Sequence, residues 1–304
     1  MKKISFILHG KHLRKKSIQY LAEKYFSKNY YTEFFITKSA KSAEELSEKI
    51  VRSNTDYLIA VGGDGTIHEA INGIMKVPKN ERENLIVGLL PLGSGNDFAR
   101  TLNLTSKISD LYHLISNDKI IDLDIGKIFH KDLAGKEATS YFVNIAGVGL
   151  DAEVAKRVNE GNKTYGPNFA FFSATLKSFI KYKKKKLKVT SENYFYEGDV
   201  LLITFANAKY FGSGLGISPH AKVNDGKISI TLVGEVSLFD YLKNFFNLRK
   251  CEKINHQKVN YFDVEKIKVE SEDECFIEAD GEFIGKTPLE VEMLKHEIKF
   301  LSAI

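Results

Sequence analysis

Tyr57-Leu58-Ile59-Ala60-Val61-Gly62-Gly63-Asp64-Gly65-Thr66 decides the reading of the fold. An apolar run that reads as a short buried strand passes through a glycine turn. Ile67, Ala70, Ile71 and Ile74 then repeat at helical spacing. Working outward, Ile4 to Leu8 reads as a first strand, and Ile18, Leu21, Ala22, Tyr25 and Phe26 as the inward stripe of a helix. Phe34-Phe35-Ile36-Thr37 reads as a second strand. Ser42 with Glu45 forms a capping box for a helix that turns Ala43, Leu46 and Ile50 inward. Leu85 to Leu90 makes a fourth strand. Four successive strand-helix steps predict a doubly wound parallel α/β domain.

The pattern changes near Lys119. Ile120–Ile128, Tyr141–Ala146, Val200–Ala206, Lys227–Leu232, Val264–Glu270 and Cys275–Glu278 all read as strands, and Asp280-Gly281 before Glu282 as a hairpin turn. Helical inserts are expected near Asp151–Val158, Asn168–Tyr182 and Leu238–Leu248. Strands separated by turns predict a β-sandwich. The expected division is residues 1–122 for the α/β domain and 123–304 for the sandwich, with a return of the C-terminal end to the first domain left open. Neither an internal repeat nor a Gly/Ser- or Pro-rich linker marks the boundary.

The chain of 304 residues is 43% hydrophobic and 27% charged, which excludes a disordered or fibrous protein. Its net charge of +5 permits an anionic partner without requiring one. The basic opening Met1-Lys2-Lys3 leads into an apolar run that stops at His9-Gly10-Lys11, too short for a signal peptide. No apolar stretch approaches the ~20 residues of a membrane span. Cys251 and Cys275 are the only cysteines and lack metal or redox spacing, so a cytoplasmic location with reduced thiols is expected.

Gly62-Gly63-Asp64-Gly65-Thr66 lies where a strand ends and a helix begins, the edge at which open α/β sheets bind ligands. Glycines let backbone approach a polyphosphate, and the following helix offers N–H groups to the anion. Asp64 then suits a magnesium ion on those phosphates; the plainer alternative makes it a helix cap. A second glycine turn, Pro91-Leu92-Gly93-Ser94-Gly95-Asn96-Asp97-Phe98-Ala99-Arg100, follows the fourth strand, with Asn96 or Asp97 as a candidate cap. Neither turn is a Walker A motif or a dinucleotide fingerprint, so a phosphate donor fits better than a hydride carrier.

These motifs resemble the diacylglycerol kinase catalytic domain, in the family shared with bacterial lipid kinases and sphingosine kinases. The resemblance extends through Phe142-Val143-Asn144-Ile145-Ala146-Gly147-Val148-Gly149-Leu150-Asp151-Ala152, Gly212-Ser213-Gly214, Ser218-Pro219-His220-Ala221, Asn224-Asp225-Gly226 and Asp280-Gly281-Glu282. It implies a nucleotide-binding α/β domain joined to a β-sandwich. The ATP site it implies comprises Thr37, Gly62, Gly63, Asp64, Gly65, Thr66, Ile67, His68, Glu69, Gly93, Ser94, Gly95 and Asn96. Glu282 becomes the general base, and Asp64 and Asp97 complete the catalytic set. A structural Mg²⁺ maps onto the Asp225 side chain and the main-chain carbonyls of Lys222 and Lys227, with Asp124 linking that site to the cleft through water. Two departures stand out: His9-Gly10-Lys11 replaces the family's Asn-Pro turn, and Ser94 replaces its usual Thr.

The implied activity is ATP- and Mg²⁺-dependent phosphorylation of diacylglycerol or a similar lipid at a membrane surface, a step of phospholipid biosynthesis. The alternatives are a soluble nucleotide kinase resembling NAD kinase, which shares GGDGT, and a non-catalytic lipid or nucleotide sensor. Nucleic acid is not an expected partner, since no aromatic-basic module or zinc finger is present; a homodimer is left open. His9 and His12 have metal spacing but no third ligand, and His68-Glu69 lacks the second His of a zinc-protease helix. The lysines from Lys181 to Lys188 follow Phe169, Phe172, Leu176, Phe179 and Ile180 at helical spacing. They read equally as a contact with an anionic bilayer or as a solvated charge run.

Overall fold

The computed structural model describes residues 1–10, 15–154, 178–179, 182 and 184–304. The chain forms two compact units, Met1–Leu123 with His296–Ile304, and Asp124–Lys295. His12, Lys181, Lys183 and the expected helical residues Phe169, Phe172, Leu176 and Ile180 lie outside the described residues.

The first unit runs β1 (Lys2–Leu8), α1 (Lys15–Phe26), β2 (Tyr30–Ile36), α2 (Ser42–Arg52), β3 (Tyr57–Gly62), α3 (Asp64–Met75), α4 (Lys79–Arg82), β4 (Ile86–Pro91), α5 (Asp97–Thr101) and α6 (Ile108–Ser116). Its strands are parallel in the order β2-β1-β3-β4, with Ile4 opposite Tyr57 and Tyr57 opposite Ile86. The end of the last strand adds a fifth, Phe300 pairing with Val87. Alternation along β1 and β3 sends Ile4, Phe6, Leu8, Ile59 and Val61 to one face. There they bury Ile18, Ala22 and Phe26 of α1 and Ile108, Leu111 and Ile115 of α6. α2 and α3 pack on each other and against β1 and β3, and Ala43, Ile50, Ile67, Ala70, Ile71 and Ile74 are buried. This is the expected doubly wound sheet.

Local details differ from expectation. β2 begins at Tyr30. Leu21 and Tyr25 are each 39% exposed, because one face of α1 buries only Ile18, Ala22 and Phe26. The sequence reading omitted α6, whose buried stripe is just Ile108, Leu111 and Ile115. The Ser42–Glu45 capping box does not form. Lys41 takes the left-handed conformation at the N-cap, and the Ser42 hydroxyl accepts the Lys38 and Ser39 N–H groups instead.

The second unit is built from antiparallel strands. β5 (Ile120–Lys131) enters it from the first unit, followed by β6 (Glu137–Phe142), β7 (Ile145–Gly149), β8 (Lys185–Ser191), β9 (Tyr194–Val200) and β10 (Leu202–Ala206). Then come β11 (Tyr210–Phe211), β12 (Leu215–Gly216), β13 (Ile228–Val233), α7 (Leu238–Arg249), β14 (Val259–Val264), β15 (Lys266–Ser271), β16 (Phe276–Ala279) and β17 (Glu282–Leu301). One layer has the order β14-β13-β10-β7-β16-β17. β17 pairs with β16 up to Lys286 and with β15 from Leu289, and β15 leads on to β8 and β9. Between the layers lie Val148, Ile203, Phe205, Ile230, Val189, Val269, Ile277 and Val291. Two inner faces burying alternate residues make the expected sandwich.

Here too the boundaries move. Tyr141–Ala146 is not one strand, because Val143 and Asn144 give their N–H groups to a side chain rather than to a ladder. Val200–Ala206 breaks at Leu201, where the chain leaves the β8–β9 hairpin to pair with β13. The lysine run is in part a strand: Lys186 and Lys188 face outward while Leu187 and Val189 enter the core. Lys184 pairs with Glu235, and Lys185 lies 3.9 Å from Asp273. Those ion pairs engage two of the described lysines and leave Lys186 and Lys188 facing outward.

Candidate active site

In a sheet ordered β2-β1-β3-β4, the topological switch point lies between β1 and β3. Just past β1, the Gly10 N–H donates to the Thr37 hydroxyl at 2.9 Å, and the Thr37 N–H donates to the Leu8 carbonyl. A β-carbon on Gly10 would fall 1.9 Å from the Thr37 carbonyl oxygen. The ends of β1 and β2 are thus tied together at the position where the family's Asn-Pro turn is missing.

The two glycine turns touch backbone to backbone. A β-carbon on Gly63 would lie 2.9 Å from the Gly93 Cα, and one on Gly93 would lie 2.3 Å from the Gly63 Cα. The Leu92 N–H donates to the Gly62 carbonyl at 2.7 Å. Asp64 holds the pair: its carboxylate accepts the Asp97 N–H at 3.2 Å and the Phe98 N–H at 3.1 Å. It therefore caps α5 rather than its own helix, whose N-cap is Gly63 without a side-chain cap. Asn96 is not a side-chain cap either. It accepts the Gly93 N–H at 3.0 Å and donates to the Gly93 carbonyl at 2.9 Å, closing the second turn on itself.

Other residues of the expected ATP site take different places. Thr66 and His68 are buried, Ile67 is fully buried in the core, Gly65 is half-buried and Ser94 is exposed. Glu69 accepts the Lys41 N–H at 2.9 Å and the Ala43 N–H at 3.0 Å, so it caps α2 from a neighbouring helix. Removing a charged cap costs about 1–2 kcal/mol. Glu69→Ala is therefore expected to lower the melting temperature by several degrees, and an unchanged transition would show the cap to be dispensable.

In the second unit, Asp280 and Gly281 both have positive φ, 52° and 87°, and form the two-residue turn between β16 and β17. The buried Asp280 carboxylate accepts N–H groups from Val143 at 3.0 Å, Asn144 at 2.9 Å and Ile145 at 3.2 Å. Glu278 accepts the Gly281 N–H at 2.8 Å. The turn is thus clamped from both sides, and it presents Glu282, exposed, at the head of β17.

Asp151 and Glu278 were not expected in the constellation. Glu278 sits opposite Gly147 in the ladder, and a β-carbon on Gly147 would lie 1.7 Å from an Asp151 carboxylate oxygen. Burial pushes the Asp151 carboxyl up to about 7. Burial, with Asp151, Asp280 and Glu282 nearby, raises Glu278 well above the ordinary carboxylate range despite the Gly281 N–H. Both folded pKa values exceed the unfolded ones. The stability they contribute is complete below about pH 4 and is lost as pH rises through the folded values. The melting temperature should fall as pH rises from about 4 through about 7, and Glu278→Gln should remove much of that fall. An identical slope in both proteins would contradict a proton held by this pair.

Asp124 is fully buried, and its carboxylate accepts the Gly226 N–H at 2.6 Å; its own N–H donates to the Val223 carbonyl. It grips the Asn224-Asp225-Gly226 turn directly. Asp225 is exposed, and its Oδ1 accepts the Lys227 N–H at 3.1 Å. The expected Mg²⁺ ligands, the Asp225 carboxylate and the main-chain carbonyls of Lys222 and Lys227, are all hard oxygens, the donor type that suits this ion. Among the described residues no group of three or more His, Cys, Asp or Glu side chains could hold a metal ion. Asn207, also absent from the sequence reading, donates to the Asp124 and Val143 carbonyls at 2.9 Å each. A lone buried Asn carries no spacing signal.

Residues 3–128 match the diacylglycerol kinase catalytic domain, and residues 144–302 match the YegS C-terminal NAD kinase beta sandwich-like domain. A diacylglycerol kinase of Staphylococcus haemolyticus (strain JCSC1435) is 28% identical over 290 residues, covering 95% of this chain and 84% of that protein. The Bacillus subtilis (strain 168) diacylglycerol kinase is 25% identical, over 94% of this chain and 91% of its own. A solved diacylglycerol kinase from Bacillus anthracis str. Sterne shares the fold at a TM-score of 0.73 and 20% identity, covering 99% of this chain and 97% of that one. Yeast NADH kinase shares it at 0.56 and 11% identity, covering 100% of this chain and 84% of that one.

Proposed function

Because residues 3–128 belong to the diacylglycerol kinase catalytic-domain family and residues 144–302 to the YegS C-terminal NAD kinase beta sandwich-like family, we propose that the chain transfers the γ-phosphate of ATP to the free hydroxyl of diacylglycerol or a close relative. The observation that carries the reading is the packing of Gly63 on Gly93 at the carboxyl edge of the parallel sheet. Backbone that close, with an uncapped helix start beside it, suits a polyphosphate. Asp64 and Asn96 keep the two turns in register, and Asp97 stands at the start of α5. Glu282 takes the lipid hydroxyl's proton, and Asp280 and Glu278 hold the turn that carries it. Mg²⁺, when bound, neutralises charge on the transferring phosphates.

Among the described residues no helix is long and apolar enough to cross a membrane. The proposed setting is the cytoplasmic side, with the protein acting at the membrane surface. The test is incubation of purified protein with labelled ATP and extracted lipids. Label in the organic phase supports the reading; label in a soluble nucleotide supports an NAD-kinase-like activity, and no product supports a sensor.

A structural Mg²⁺ at Asp225 has its own test. Chelation should lower the melting temperature of wild type but not of Asp225→Ala, since a ligand bound only by the folded state stabilises it by mass action. Equal chelator sensitivity would overturn the assignment.

A further inference from the structure

The structure assigns the outer face of α7 to docking on an anionic bilayer, an inference that rests on the lipid-kinase reading for its biological sense. Phe239 and Phe246 are the most exposed phenylalanines among the described residues, at 73% and 74%, and Leu242 is 44% exposed. Spaced at i, i+3 and i+7, they fall on one side of the helix. Lys243 and Lys250, both exposed, lie along the same side, while the Arg249 guanidinium donates to the Ser213 carbonyl at 2.8 Å.

The helix is firmly seated on its other side. Leu248 is buried, Tyr241 and Phe245 pack beneath it, and Ser237 and Asp240 complete a capping box. Asp240 is the helix's one acid. It is held by Ser237 and faces His256, away from the apolar stripe. The helix's own residues therefore place apolar side chains and lysines on the exposed face, with Asp240 at its edge near Lys243.

Exposed phenylalanines are costly in water unless something covers them, and the flanking charge selects what does. An apolar stripe edged with lysines matches the boundary between acyl chains and anionic headgroups. Each surface cation adds roughly fivefold to binding near such a membrane. The lysines at the start of β8, by contrast, include Lys184 and Lys185 facing acidic partners.

Co-sedimentation of the full chain with vesicles, without ATP, tests the inference. Wild type should bind vesicles of phosphatidylglycerol and phosphatidylcholine, release them in high salt, and bind pure phosphatidylcholine weakly. Phe239→Ser with Phe246→Ser should weaken binding at least ~tenfold at an unchanged melting temperature. Lys243→Gln with Lys250→Gln should weaken it roughly thirtyfold and flatten the salt dependence. Wild-type binding by both variants would overturn the inference. So would a wild-type dimer in sedimentation velocity that the phenylalanine variant converts to monomer. Turnover on short-chain, dispersed diacylglycerol separates the two claims. Vesicle binding through α7 without lipid product would remove the kinase reading alone; turnover with α7 variants that bind normally would remove this inference alone.

Discussion

Glu282→Gln is expected to lower kcat on the lipid by about 10²–10⁴, the usual worth of a general base. Gln keeps the size and polarity of the side chain but cannot accept the hydroxyl proton at neutral pH. Glu282 is exposed at the first position of β17. The clamp beneath it is made by Asp280 and Glu278, which the substitution leaves intact. ATP affinity and the melting temperature should therefore stay close to wild type. Lipid phosphorylation and nucleotide binding on one preparation check this. Near-normal turnover would assign the proton to another group, and loss of ATP binding would move Glu282 into the nucleotide site.

Gly93→Ala should have the larger effect on nucleotide binding. The new methyl group would sit 2.3 Å from the Gly63 Cα and 2.9 Å from Asn96 Oδ1. Neither neighbour is the end of a flexible chain that can swing aside, because Gly63 is backbone and Asn96 is bonded twice to Gly93. The two turns must separate, which overpacks the site at a cost of about 1–3 kcal/mol. A displacement of order 1 Å in a positioning element costs roughly 10²-fold in rate. Binding of a fluorescent ATP analogue should weaken in step with lipid turnover. An alanine variant with wild-type nucleotide affinity would mean that the packed turns do not form the cradle.

Much of the first unit was legible in the chain, because each βα step carries its own periodicity. The apolar run Tyr57–Val61, the glycines and the stripe Ile67, Ala70, Ile71 and Ile74 are local signals, and they predict the element that forms. The hairpin at Asp280-Gly281 is local as well, since both residues tolerate positive φ. Boundaries were legible only where local and tertiary demands agree. Tyr141–Ala146 reads as one strand by composition, yet Asp280, more than 130 residues away, takes the N–H groups a ladder would need.

The sequence by itself determined the order of elements, the α/β-then-β architecture, the family and the glycine turns as phosphate-binding candidates. Only the tertiary structure decided which side chain serves which turn. Asp64 caps α5, Glu69 caps α2, and Asn96 closes on Gly93. Asp151 and Glu278 share a buried corner over Gly147. A carboxylate can satisfy any N–H group the fold brings within about 3 Å, so its partner depends on packing between distant segments. Spacing along a chain records a residue's own helix or strand, and these partners belong to other ones.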